Sequence, residues 1–130
     1  MKSRISSRVV LLSIFFFVFA FSYAKKMPKI VFDKTVIELG EVKVNSTKTF
    51  DFTFTNKGSG KLFIHKVSTG CGCSKAEFPK EGIPSGGKGK ITVTFNSTNF
   101  QPTRVKKILT VITNCKKATQ KLEYNITISY

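Results

Sequence analysis

Two cysteines separated by one glycine, Cys71 and Cys73, have the spacing in this sequence that is best suited to chemistry. A pair of neighbouring thiols can exchange disulfides, bind a soft metal such as Cu(I), or form a disulfide of its own. The spacing is not the Cys-X-X-Cys of thioredoxin-like enzymes, and structural zinc would need more ligands than Cys115 and His65 can add. We therefore interpret Cys71 and Cys73 as two small structural residues at the corner of a loop, where they can form a structural disulfide. The alternative is that the pair exchanges disulfides or binds copper.

No other pattern in the sequence indicates catalysis. The single histidine, His65, has no nucleophile that spacing places beside it, which serine-type hydrolysis would require. The carboxylates of Asp33, Asp51, Glu77 and Glu81 are scattered without a spacing that suits acid–base work. We therefore expect a non-enzymatic binding or structural module of the bacterial cell envelope that carries no cofactor, with a thiol-active protein that uses Cys71 and Cys73 as the alternative.

Three phenylalanines that stand apart from the regular apolar pattern are candidates for partner binding. Phe63 is out of phase with its apolar neighbours, Phe78 precedes a proline, and Phe100 lies in a polar segment. An exposed aromatic ring near lysines is suited to binding a peptide, a glycan or nucleic acid. The favoured alternative is that the loops fold back and bury these rings, as is usual for large aromatic side chains.

The first 24 residues have the layout of a secretory signal peptide. Three basic residues precede an apolar run over residues 9–21, and small residues lead up to Ala24. The run is shorter than the roughly 20 residues that span a membrane comfortably, although an uncleaved anchor is the alternative. We expect cleavage after Ala24, export to the periplasm or the cell surface, and a mature chain over residues 25–130 without a transmembrane span.

The sequence is strongly basic, with a formal net charge of +15. This charge favours an anionic partner, either an unknown protein or an anionic component of the cell envelope, although it also serves solubility alone. The lysines occur as singles and pairs, such as Lys116-Lys117, and form no long basic block. Nucleic acid is therefore not the expected partner, and the charge does not determine an oligomeric state.

Alternation of apolar and polar residues, typical of half-buried β-strands, runs through residues 25–130. Segments rich in glycine, asparagine and proline separate the alternating runs and indicate turns. The pattern predicts strands at 29–33, 36–39, 48–56, 61–68, 90–95, 104–113 and 120–130, and leaves open a short edge strand near 74–78. About seven short strands without a helix predict an all-β, immunoglobulin-like β-sandwich.

Several short motifs follow one another between residues 31 and 114. They are Leu39-Gly40-Glu41-Val42, Phe54-Thr55-Asn56-Lys57-Gly58, Cys71-Gly72-Cys73, the turn from Pro79 to Gly89, Val93-Thr94-Phe95 and Ile112-Thr113-Asn114. In this order they resemble the bacterial family called domain of unknown function 1573. The resemblance implies a secreted immunoglobulin-like sandwich related to major-sperm-protein and cilium-associated modules, and it brings no biochemical activity. Leu39 departs from the family, where phenylalanine is common.

The expected topology limits how the three cysteines can pair. In such a sandwich the strands predicted at 61–68 and 104–113 are antiparallel neighbours, so the Cys71/Cys73 pair and Cys115 follow opposite strand ends. Eight strand residues separate these ends by about 25 Å, whereas a disulfide requires Cα atoms within about 7 Å. Only a Cys71–Cys73 bridge remains, with Gly72 allowing the turn. The sequence leaves open whether this pair is oxidised and whether Cys115 is free.

Overall fold

Two four-stranded β-sheets pack face to face in a computed structural model of the chain, which describes residues 24–130. Apart from Ala24, the predicted signal peptide lies outside the described residues. The strands are β1 (Ile30–Phe32), β2 (Val36–Lys43), β3 (Thr47–Asn56), β4 (Ile64–Ser68), β5 (Ser74–Glu77), β6 (Lys88–Asn96), β7 (Thr103–Thr113) and β8 (Thr119–Ser129). Within residues 24–130, no helix has the length and apolar character needed to cross a membrane.

The strands follow the order β1-β3-β6-β5 in the first sheet and β2-β8-β7-β4 in the second. Every pair is antiparallel except β2 with β8, which run parallel. Only the β5–β6 and β7–β8 connections join neighbours within one sheet, and all the other connections between these strands cross from one sheet to the other. The loops at each end of the sandwich therefore come from both sheets.

The core lies between the sheets and contains the inward-facing residues of the alternating strands. Phe52, Phe54 and Phe95 of the first sheet, and Leu109 and Tyr124 of the second, are all at most 1% exposed. Burial of side chains of this size is the main source of stability in a sandwich of this type. The predicted all-β sandwich is therefore confirmed.

The structure differs from the predicted strands at two places in the second sheet. The strand predicted at 36–39 continues to Lys43, because Gly40 adopts a φ of +72° where the register with β8 shifts, and the pairing then resumes. The strand predicted at 61–68 begins only at Ile64, and Leu62 instead forms an isolated bridge with Ile83. Alternation alone does not reveal such a change of partner.

The short edge strand that the sequence left open forms as β5, which brings the number of strands in residues 24–130 to eight. It pairs with β6 over four residues, from Ser74 opposite Phe95 to Glu77 opposite Thr92. This pairing brings the chain into the first sheet directly after Cys73.

Opposite ends of the sandwich carry the two kinds of cysteine. In the β4–β7 pair, Ser68 lies opposite Thr110 and Ile64 lies opposite Thr113, so the chain leaves these two strands in opposite directions. We call the end formed by residues 44–46, 69–73 and 97–102 the disulfide end. We call the end formed by residues 24–29, 57–61, 82–87 and 114–118 the thiol end, because it contains Cys115.

Candidate functional site

Cys71 and Cys73 form a disulfide at the disulfide end, with their Cα atoms 5.3 Å apart. The chain turns at Gly72, which brings the two residues closer than in an extended strand. Both sulfurs lie 3.8 Å from the hydroxyl oxygen of Ser74. In this oxidised state neither sulfur is a thiolate that can bind a metal. Within residues 24–130, no three His, Cys, Asp or Glu side chains are grouped to hold a metal ion, and His65 is exposed on β4.

The disulfide loop is connected to the core through Ser74. The buried Ser74 hydroxyl forms a hydrogen bond with the hydroxyl of Tyr124, which is itself buried. Burial raises the pKa of Tyr124, and the hydrogen bond with Ser74 offsets part of this effect. The Thr69 hydroxyl lies 3.1 Å from the carbonyl oxygens of Cys71 and Ser74, and these contacts hold the loop closed.

A buried serine connects the other loops of the disulfide end. The Ser97 side chain is fully buried, and its hydroxyl donates to the carbonyl oxygen of Lys43 at 2.6 Å. The Ser97 hydroxyl oxygen also accepts a hydrogen bond from the N–H of Ser46 at 2.9 Å. Ser97 therefore holds the turn between β2 and β3 against the segment that follows β6.

A buried asparagine has the corresponding role at the thiol end. The Asn56 side chain is fully buried at the end of β3 and makes four hydrogen bonds. Its carbonyl oxygen accepts from the N–H groups of Lys29 and Gly58, at 3.1 and 3.0 Å. Its amide donates to the carbonyl oxygens of Gly60 and Ile83, at 2.8 and 3.0 Å. One side chain thus joins three separate segments of the chain.

The segment held by Asn56 forms one wall of an open groove of about 880 Å³. This volume lies within the roughly 300–1,000 Å³ of typical small-molecule sites. Met27, Pro28 and Ile30 line one side, and the groove surface is mainly apolar. The half-buried thiol of Cys115 lies in the groove and accepts a hydrogen bond from the N–H of Ile30 at 3.4 Å.

Lysines are the charged residues that line this groove: Lys29, Lys116 and Lys117. No acidic residue lines it, and none of its lysines forms an ion pair within residues 24–130. We call this feature the lysine-rimmed groove.

Several acidic residues lie instead on the outer faces of the sheets. Asp51 accepts hydrogen bonds from Thr92 and Lys90, and these interactions lower the pKa of Asp51. Lys106 forms an ion pair with Glu123 at 2.8 Å and lowers the pKa of Glu123. These carboxylates are committed to partners away from both ends of the sandwich.

The three candidate phenylalanines do not form one surface. Phe63 is 38% exposed near the thiol end, whereas Phe100 lies at the disulfide end, half-buried, with its ring centroid 5.5 Å from that of Phe95. Phe78 is also half-buried, and the ammonium group of Lys80 lies 3.6 Å from the centre of its ring. Of these three rings, Phe63 is the most accessible to a partner.

The amino-terminal half of β3 presents backbone groups that have no strand partner on one side among residues 24–130. On this side β1 pairs only with residues 54–56, and the N–H of Asp33 adds a hydrogen bond to the carbonyl of Thr53. Because backbone groups alternate in direction along a strand, those of Thr49 and Asp51 point to the same side as those of Thr53. We call residues 47–52 on this side the free β3 edge.

The polar side chains and the groove that organise the two ends of the sandwich were not predicted from the sequence. The sequence patterns place Asn56 at the end of a predicted strand, in a turn and in the Phe54–Gly58 motif, and they do not indicate its hydrogen bonds, although asparagine before a glycine-rich segment is suited to bonding backbone groups of the following loop. Ser97 gave no signal, because a serine after a strand is common in any turn. The lysine-rimmed groove joins residues from four parts of the chain, so no single stretch of sequence indicates it.

Solved structures share this fold. A protein of unknown function from Porphyromonas gingivalis W83 has a TM-score of 0.68 at 15% identity, covering 84% of this chain and 50% of that chain. A PapD-like domain of human CEP192 has a TM-score of 0.64 at 12% identity, covering 79% of this chain and 87% of that domain. The VesB protease of Vibrio cholerae has a TM-score of 0.59 at 11% identity, covering 89% of this chain and 35% of that chain. Among curated proteins no match was found.

These likenesses show the fold alone, an immunoglobulin-like β-sandwich that is shared with the PapD-like domain. The chain belongs to the family described as "Protein of unknown function (DUF1573)", whose model matches residues 30–128. The resemblance seen in the ordered motifs is therefore confirmed. The chain covers half of the length of the Porphyromonas protein, and at this identity the likeness shows a common fold alone.

Proposed function

We propose that the protein is an exported, non-enzymatic binding module of the bacterial cell envelope that captures an extended segment of a partner protein. The observation that carries this proposal is the free β3 edge. An exposed strand edge offers a row of backbone donors and acceptors, and an added strand can satisfy them. The four aligned strands of the first sheet provide a rigid template for such an addition.

The charge of the protein supports an acidic partner segment. Lys48 is exposed on β3 at the free edge, and the chain has a formal net charge of +15. Asp51 has Lys90 as an ion-pair partner at 3.0 Å, which reduces its repulsion of a negative segment. Charges of this kind steer association and select partners, while the backbone hydrogen bonds provide affinity.

Site-specific photo-cross-linking in envelope fractions tests this proposal. A photoreactive residue at Thr49 should trap a discrete partner, because this position lies on the free edge. The matched control is the same residue at Thr127, which is exposed on β8 between two paired neighbours. Equal cross-linking at Thr49 and Thr127, or none at either position, would contradict the proposal.

A proline substitution distinguishes edge pairing from side-chain contact. Thr49→Pro removes one outward N–H and preserves the β3–β6 hydrogen bonds, which use the backbone groups of the alternate residues. We expect Thr49→Pro to fold and to lose the partner. Lys48→Pro is the matched control, because it removes a β3–β6 hydrogen bond and should lower stability. Retained partner capture by Thr49→Pro would show that the edge backbone is not used.

Export is part of the proposal and has its own test. Expression of the full chain in a bacterial host, followed by fractionation and intact-mass measurement, should give an envelope protein that begins at Lys25. Full-length protein in the cytoplasmic fraction would contradict export, whatever the cross-linking shows.

The disulfide between Cys71 and Cys73 favours a second candidate function, a thiol-active protein that exchanges disulfides or binds copper when the pair is reduced. Alkylation before and after reduction tests it. Protein from the native host should show one reactive thiol before reduction and three afterwards, and the pair should respond to mild reductant. If mild reductant does not reduce the Cys71–Cys73 disulfide in the folded protein, this candidate function is excluded.

A further inference from the structure

The lysine-rimmed groove has the chemistry of a ligand site that is separate from the free β3 edge. Its apolar wall contains Met27, which is 36% exposed, so a large apolar side chain is left partly in contact with solvent. An apolar ligand that covers this wall would gain roughly 25 cal/mol for each Å² of apolar surface removed from water. The groove is therefore suited to a flexible hydrocarbon chain.

The backbone around the groove has little capacity to pair with a peptide. The carbonyl oxygen of Met27 accepts hydrogen bonds from Ser59 and Gly60, at 2.9 and 3.1 Å, and that of Lys29 accepts from Lys57 at 2.8 Å. Pro28 has no N–H group. Because these groups are already satisfied, an added strand would find few donors or acceptors, and a ligand without a peptide backbone fits better.

The cationic rim requires a negative group on the ligand. Lys29, Lys116 and Lys117 line the same groove as its apolar residues, and lysine ammonium groups act as mobile point charges toward an anion. The Gln120 side chain donates to the carbonyl oxygen of Lys117 at 3.2 Å, so its amide is directed toward its own loop. The charge pattern therefore fits one anionic head at the end of an apolar chain.

We propose that the lysine-rimmed groove binds a free long-chain carboxylate, with the acyl chain against the apolar wall at Met27 and the carboxylate near Lys116 and Lys117. This inference does not rest on the proposed peptide-binding function. If peptide binding at the free β3 edge fails, carboxylate binding in the groove is unaffected, and the reverse also holds. The groove lies at the thiol end, whereas the free β3 edge lies on the side of the first sheet.

Calorimetric titration with oleate and with shorter saturated carboxylates, all below micelle-forming concentrations, tests the proposal. The protein is expressed from the full coding sequence, freed of bound lipid, and its amino terminus is read by intact mass. We expect one site per chain, with affinity rising about three- to fourfold per added methylene until the groove is filled. Affinity that does not depend on chain length would overturn the proposal.

The thiol of Cys115 provides a readout specific to this groove. Cys71 and Cys73 are joined in a disulfide, so a thiol reagent added without reductant reacts only at Cys115. Saturating oleate should slow this reaction, because the half-buried thiol lies in the groove. Oleate binding that leaves the reaction rate unchanged would place the ligand elsewhere and overturn the assignment.

Charge reversal tests the cationic rim. The double variant Lys116→Glu/Lys117→Glu should bind oleate about tenfold more weakly, a loss of about 1.4 kcal/mol that is divided between two exposed ion pairs. The control Lys66→Glu/Lys75→Glu changes the net charge equally at exposed lysines of β4 and β5 and should bind within about twofold of wild type. Equal weakening in both variants would show a general charge effect and contradict a localised site.

Two comparison ligands separate the carboxylate from other occupants. An acidic peptide without an acyl chain should not compete with oleate, and vesicles of anionic lipid should bind more weakly than monomeric oleate at equal lipid concentration. Competition by the peptide would assign the groove to a protein partner. Preference for the vesicles, with the same dependence on Lys116 and Lys117, would assign it to a membrane surface. Either outcome would overturn the proposal.

Discussion

Both ends of the sandwich are held by hydrogen bonds of a buried polar side chain, Ser97 or Asn56, and among the described residues only the disulfide end adds a covalent bond. The disulfide end has a covalent link between Cys71 and Cys73, but this link joins residues only two positions apart. The thiol end has no covalent link among the described residues, yet the side chain of Asn56 reaches 27 positions back to Lys29 and 27 positions forward to Ile83. At both ends, hydrogen bonds therefore connect distant segments of the chain, whereas the disulfide closes only a local loop.

The largest expected effect concerns Asn56. Asn56→Ala should lower the free energy of unfolding by about 3 kcal/mol or more, because two part-buried N–H groups and two buried carbonyl oxygens lose their partner. Asn56→Asp should cost at least as much, since a carboxylate would face the carbonyl oxygens of Gly60 and Ile83. Urea unfolding monitored by circular dichroism measures both changes.

Asn96 is the matched control for Asn56, because it also ends a strand but is exposed. Among residues 24–130, its side chain accepts a hydrogen bond only from the N–H of Thr98, at 2.8 Å. Asn96→Ala should therefore cost no more than about 1 kcal/mol. Similar costs for Asn56→Ala and Asn96→Ala would break the proposed difference between buried and exposed capping asparagines.

The next effect concerns the hydroxyl pair that joins the disulfide loop to the core. Ser74→Ala leaves the buried hydroxyl of Tyr124 without this partner, and the expected cost is about 1–3 kcal/mol. Tyr124→Phe should cost a similar amount. The double variant should cost less than the sum of the two, because it removes both polar groups together. Additive costs in a double-mutant cycle would show that the two hydroxyls are not coupled.

A smaller effect is expected for the disulfide itself. Cys71→Ser/Cys73→Ser should lower stability by about 1.5 kcal/mol or less, because a bridge around one residue removes little entropy from the unfolded chain. Comparison of urea unfolding for this variant and for Asn56→Ala sharpens the contrast between the ends. If the cysteine variant loses more free energy of unfolding than Asn56→Ala, the disulfide contributes more to stability than the hydrogen bonds of Asn56, which contradicts this prediction.

The smallest effect is expected on the outer face of the first sheet, away from both ends. Thr92 and Lys90 hold the pKa of Asp51 below its usual value of 3.8, so the ionised form stabilises the fold. This contribution is fully present above about pH 4 and is lost as the pH falls through the lowered pKa. Because the groups are exposed, Asp51→Asn should cost well under about 1 kcal/mol at pH 7.

The pH dependence of this difference provides the check. The stability difference between wild type and Asp51→Asn should be constant from pH 5 to pH 7 and should shrink below about pH 4. Unfolding in urea across this range measures it. A difference that grows on acidification would mean that the Asp51 carboxylate destabilises the fold and that its pKa is raised.

Alternation predicted most of the fold. The runs that contain Phe52, Phe54 and Phe95 have a period of two, and one-sided burial of these residues requires a strand. The motif order predicted the family, and the distance along a strand limited the cysteine pairing to Cys71 with Cys73. The bulge at Gly40 was not predicted, because a glycine between strand residues also fits a simple turn.

The sequence by itself determined the features that depend on local spacing: the strands, the turns, the basic charge and the short reach of the cysteine pair. Only the tertiary structure decided the features that depend on distant segments. Asn56 joins three of these segments, and the lysine-rimmed groove exists because Met27 and Cys115 meet at one end of the sandwich. Side-chain hydrogen bonds and surface grooves have no period along the chain, and the topology brings their parts together.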